Sequence, residues 1–113
     1  MTQYIRITTN PNELDLCECA KVELENELRN LLGTEVLKLT YLADLDARVH
    51  GAYIISDGLG IDHLKETNTN LYPYFFVGEV VVVKKTSEGF EMFTASEIEA
   101  ILDWYHGLEG NNA

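Results

Sequence analysis

The sequence predicts a single α+β domain over residues 1–113, with a largely antiparallel sheet of about five strands and two main helices, about 11–32 and 95–107. Three observations carry that prediction. The densest apolar run, Leu71 to Lys85, is β-branched or aromatic on both parities, so it reads as a strand covered on both faces near the middle of a sheet. Asn10-Pro11-Asn12-Glu13 offers a cap, a first-turn proline and a capping-box acid ahead of a leucine stripe. Thr94-Ala95-Ser96-Glu97 carries a capping-box signature ahead of Ile98, Ile101, Leu102 and Tyr105. Elements in the order β-α-β-β-(α)-β-β-α favour helices packed on an antiparallel sheet.

Taken in order, residues 3–8 alternate Tyr4, Arg6 and Thr8 against Ile5 and Ile7, which predicts a first strand with one buried face. The first helix follows, with Leu14, Cys17, Leu24, Leu28 and Leu31 on one stripe and Gly33 suited to the position past its end. Residues 35–42 alternate Leu37, Leu39 and Tyr41 against Lys38 and Thr40, a strand pattern, and Ala43 to Asp46 reads as a turn. Residues 48–55 suit another strand, weakened by Gly51. Ser56-Asp57-Gly58 signals a turn, and Ile61 and Leu64 fit a short helical one. In the central run Pro73 cannot donate to a ladder, so pairing is expected from about Tyr74, with Tyr72, Tyr74 and Phe76 on one face and a bulge at Gly78. Thr86 to Gly89 makes a hairpin loop, Phe90 to Phe93 returns, and Gly107 and Gly110 end the last helix. Asn111 to Ala113 is expected to fray.

Charge narrows the function. Nineteen Asp and Glu against eight Lys and Arg give a net charge of −11, spread along the chain rather than gathered in a tail. Such a surface repels nucleic acid phosphates and anionic membranes and speeds encounter with a basic protein. Solubility alone also explains an acidic composition. The start lacks a long apolar signal segment and no apolar run reaches the length of a membrane span, so a cytoplasmic protein is expected.

Catalytic patterns are missing from the chain. His50, His63 and His106 have no paired metal-ligand spacing, and Gly58-Leu59-Gly60 lacks the third glycine of a phosphate loop. Asp44 and Asp46 lack the glycine and distal glutamate of a calcium loop. On a helix, Cys17 and Cys19 point about 200° apart and share neither a disulfide nor a metal, so reduced structural thiols are expected. The expectation is no enzyme, no cofactor, no metal and no small-molecule substrate. Exposed aromatic residues within an acidic rim suit a protein partner.

Three stretches carry a family likeness. They are Leu45 to Leu59 with Tyr53 and Ser56-Asp57-Gly58-Leu59, then Asn70-Leu71-Tyr72-Pro73-Tyr74-Phe75 with its following hairpin, then Ile98 to Gly110 with Ile101-Leu102-Asp103, Tyr105 and Gly110. In that order, over about residues 45–110, the chain resembles the staphylococcal-type uracil-DNA glycosylase inhibitors, small acidic proteins that occupy the enzyme's DNA-binding cleft. The resemblance implies that Asp57 lies at the enzyme contact and that Glu35 is the edge-strand acid taking a phosphate's place. It also implies that the face carrying Tyr72 and Tyr74 helps build a pocket for the apolar side chain that the enzyme wedges into DNA. Leu24 to Leu32 matches less well and residues 1–20 do not match. Extra residues between Gly58 and Asn70, and the long N-terminal segment, depart from the family. The expected function is therefore a DNA-mimicking inhibitor of a basic DNA-binding enzyme, with Glu35, Asp57, Tyr72 and Tyr74 as partner-binding residues. An immunity protein against a nuclease toxin and an acidic accessory domain are the alternatives.

Overall fold

The computed structural model describes residues 1–111. Its strands are β1 (Thr2–Ile7), β2 (Leu14–Cys19), β3 (Leu37–Thr40), β4 (Ala52–Asp57), β5 (Val80–Thr86) and β6 (Gly89–Glu91); its helices are α1 (Leu24–Leu32), α2 (Ala43–Arg48) and α3 (Ala95–His106). The strands form one antiparallel sheet in the order β2-β1-β5-β4-β3, with β6 pairing the far end of β5. The α+β expectation holds.

Strand β5 is central, as its two apolar parities require. Val80, Val81, Val82 and Val83 have no exposed surface. Val80 and Val82 join Ile5, Ile7 and Ile54 on the face packed by Leu45 of α2, by Val49 just past its end, and by Ile101, Trp104 and Tyr105 of α3. Val81 and Val83 join Tyr4 and Ile55 on the opposite face, under Leu24, Leu28 and Leu32 of α1. Each buried valine contributes about 1.5–3 kcal/mol of transfer free energy. Helices on both faces explain why this strand has no polar side until Lys84.

The first predicted helix is half wrong. Asn10 to Glu13 turns a hairpin, with Asn12 at φ 57°, and Leu14–Cys19 pairs residue by residue with β1. The helix begins only at Leu24, after a 3-10 turn at Lys21–Glu23, and ends where expected, with Gly33 left-handed at φ 62°. On a strand Cys17 and Cys19 point to the same face, not opposite ones, and both are free thiols. Burial raises the pKa of each.

Residues 43–48 form α2 rather than a turn, and β4 starts at Ala52 rather than at residue 48. Gly51 turns between them at φ 86°; a Cβ there would lie 2.7 Å from the Lys85 carbonyl oxygen. The central run is a strand only from Val80. Leu71 ends a 3-10 turn, the Tyr72–Pro73 bond is cis, and the segment to Gly78 runs as loop. Tyr72, Tyr74 and Phe76 therefore share no strand face: Tyr72 is exposed, Tyr74 half-buried and Phe76 in the core. Two buried asparagines tie this region to the N-terminal hairpin. Asn68 donates to the Ile7 and Gly78 carbonyls, and Asn70 to those of Thr8 and Asn10.

The capping box opening α3 is complete. Glu97 N–H donates to Thr94 Oγ1 at 3.1 Å, and Thr94 N–H to Glu97 Oε1 at 2.8 Å, an arrangement worth about 1 kcal/mol. The helix spans 95–106, one residue short of the expected bound, and a 3-10 turn at Glu109–Asn111 follows. The fraying expected of Asn112 and Ala113 lies outside the described residues. No helix among the described residues is long and apolar enough to cross a membrane.

Candidate functional site

Three of the four candidate residues, Glu35, Asp57 and Tyr74, stand around the turn that leaves β4, and Tyr72 lies apart from it. Asp57 ends that strand with its side chain wholly buried. Its Oδ1 accepts the Leu59 N–H at 2.8 Å, the self-capping expected of an Asp in a turn. Its Oδ2 receives His63 Nδ1 at 2.6 Å and Lys65 Nζ at 2.8 Å. Burial alone would raise the Asp57 pKa, but the bonds from Lys65, His63 and the Leu59 N–H outweigh it and hold the carboxyl well below the usual range. Asp57 is thus ionised and fully engaged within the chain. It offers no exposed charge; what it does is fix the following turn.

That turn, residues 58–64, is one coil of helix-like backbone, with His63 N–H bonded to the Leu59 carbonyl and Lys65 N–H to the Gly60 carbonyl. Lys65 fastens its far end, because Nζ also donates to the Leu32 carbonyl at the end of α1. The Lys65 stem lies over Gly78, where an added Cβ would come within 2.6 Å of Lys65 Cδ. Thr67 then bridges Val77, and Gly78 N–H bonds the Glu66 carbonyl. The segment between Gly58 and Gly78 is therefore pinned at both ends.

Beside it lies a cleft of about 490 Å³, lined by the β3 residues Lys38 and Thr40, by the turn from Asp57 to Asp62, and by Tyr74 to Val77. Tyr74 is fixed by donating its hydroxyl to Asp44 Oδ2 at 2.6 Å and by a 6.2 Å ring contact with Trp104. The Asp44 carboxylate, more than burial, raises the Tyr74 pKa. Asp57 and Tyr74 thus border one cleft. Glu35 is exposed just before the edge strand β3, in a depression shared with Arg29, Leu59 and His63, so it flanks the same turn from the other side. Tyr72 does not line the cleft; its carbonyl faces the C-terminal turn and accepts the Gly110 N–H.

Large apolar side chains stand exposed around this cleft, among them Phe75, which belongs to the run expected to be covered on both faces. Ile61 is 70% exposed, Leu64 90% and Phe75 66%. Ile61 and Leu64 fit the apolar stripe of a short helical turn, a pattern that ordinarily faces inward. Here the turn is too small to cover anything, and both side chains face solvent.

No group of three or more His, Cys, Asp or Glu among the described residues is placed to hold a metal ion. Comparison with protein-family profiles, with curated proteins and with solved structures finds no match for this chain.

Proposed function

We propose that the protein is an acidic inhibitor that occupies the DNA-binding cleft of a basic enzyme, with uracil-DNA glycosylase as the leading target. The state of the charges is the observation that supports this reading. Five of the eight Lys and Arg side chains are engaged within the chain, Arg6 with Glu79, Lys21 with Glu91, Arg29 with Glu25, Lys65 with Asp57 and Lys84 with Glu97. Those pairs use only five of the nineteen carboxylates. Glu23, Glu35, Asp62, Glu66, Glu99 and Asp103 are exposed and have no ion-pair partner among the described residues.

Carboxylates carried on strands, helices and a pinned turn are preorganised negative charge. Lys and Arg arrayed for phosphates meet them with little reorganisation, and the encounter is electrostatically steered. The cleft beside Tyr74 and Phe75 lies near where the family likeness puts the pocket for an apolar side chain, a contact that salt does not screen. Glu35 and Tyr74 keep their expected partner-facing roles in this reading, Tyr72 stands at its margin, and Asp57 acts from inside.

The test is an excision assay. Stoichiometric protein, premixed with uracil-DNA glycosylase, stops uracil release from a labelled oligonucleotide. Undiminished release at a large molar excess contradicts the reading.

A further inference from the structure

The inhibitor reading accounts for the charge and for the cleft beside Phe75 but leaves the exposed Ile61 and Leu64 without a task. Ile61 and Phe75 project at the rim of the same cleft, and Leu64 stands three residues on in the same turn. Leu64 also has φ 57°. That left-handed conformation crowds a Cβ and is ordinarily left to glycine or asparagine. A leucine there is both strained and almost wholly in water, so neither local backbone preference nor burial in this chain explains the choice.

We infer that the 58–65 turn is the apolar anchor of the docking surface, inserting Ile61 and Leu64, with Phe75 beside them, into a pocket of the basic enzyme. This rests on the inhibitor reading and adds the element that grips. Two observations favour that occupant. Asp62 and Glu66 follow the two apolar residues, and Glu35 lies across Leu59; all three are exposed without an ion-pair partner among the described residues, and against the one unpaired cation of the cleft wall, Lys38, they leave a net negative rim that a basic pocket rim complements. The turn is also held in place before binding, by Asp57 with His63 and Lys65 and by the Lys65 bond to Leu32. A rigid apolar projection loses little conformational entropy on docking, which is the property of residues that dominate interfaces.

The test compares wild type with an Ile61→Ser, Leu64→Gly double variant by titration against purified uracil-DNA glycosylase at several salt concentrations. Leu64→Gly relieves the left-handed strain, so the variant melts no lower than wild type and any loss of affinity is not unfolding. The inference expects binding weaker by roughly thirtyfold with the salt slope unchanged, because charge is untouched. Wild type binding matched by the variant within about twofold overturns the anchor and leaves the inhibitor reading standing. Failure of wild type itself to bind the enzyme overturns both.

Discussion

The Lys65 ammonium lies 2.8 Å from the fully buried carboxylate of Asp57, and the same nitrogen reaches the last turn of α1. One side chain thus ties the end of β4, the end of α1 and the turn between Gly58 and Lys65. Each candidate surface described above depends on that tie, because it sets where Leu59, Ile61 and Asp62 stand.

Removing the cation leaves a buried anion with His63 and the Leu59 N–H as its partners. Lys65→Met is expected to cost about 3 kcal/mol, read as a lower denaturant midpoint with the slope unchanged. Adding Asp57→Asn to that variant removes the uncompensated charge and recovers part of the loss. A Lys65→Met protein as stable as wild type would show that the pair is not holding the turn.

Acid should act through the same carboxyl. The Asp57 pKa is held below its unfolded value, so its contribution is complete above the unfolded pKa and is lost as pH falls through the folded one. Wild type is expected to be more stable than Asp57→Asn near neutrality, and the gap is expected to narrow as pH drops below about 4. Denaturation midpoints of both proteins across that range check the sign. Relief of repulsion among the other carboxylates acts on both proteins alike and cancels in the difference. A gap that stays constant or widens in acid contradicts the assignment.

Gly78 is the next weak point. Its φ is 74°, and the Lys65 stem fills the space where a Cβ would sit. Gly78→Ala therefore meets backbone strain and a displaced lysine together, with an expected loss of at least about 1–2 kcal/mol. Thermal melting measures it. Faster hydrogen exchange at the Lys65 amide, which bonds the Gly60 carbonyl, would locate the damage in the turn.

Much of this fold is readable from particular residues. Val80 to Val83 announce a central strand because both parities are apolar, and Thr94 with Glu97 announces α3. Leu14 to Cys19 misleads because Leu14, Cys17, Leu24 and Leu28 satisfy a helical stripe. What decides is long-range pairing: β1 needs a partner on its outer side, and Leu14–Cys19 supplies it residue by residue. The hairpin signal was present in Asn12, which takes the left-handed position that asparagine tolerates. Leu42, Leu45 and Val49 likewise carried a short helical spacing that the neighbouring Asp44 and Asp46 disguised as a turn.

The site is legible only in part. Asp57 stands out in sequence as a turn former, and the structure places it in that role. That His63 and Lys65 reach it was not readable, since they stand six and eight positions further along the chain and only folding brings them together. Exposure of Ile61, Leu64 and Phe75 was hidden for a different reason. An apolar residue is read as core unless the elements around it are known to be too short to bury it.

In the proposed function this protein and DNA compete for one surface of a basic enzyme. The most direct measurement is equilibrium competition. A fluorescently labelled, non-cleavable DNA is bound to uracil-DNA glycosylase and the protein is titrated in while anisotropy is followed. Complete displacement of the DNA at one equivalent of protein is expected, with weaker displacement as salt rises. Anisotropy that stays unchanged, or that rises because enzyme, DNA and protein form a ternary complex, would contradict it.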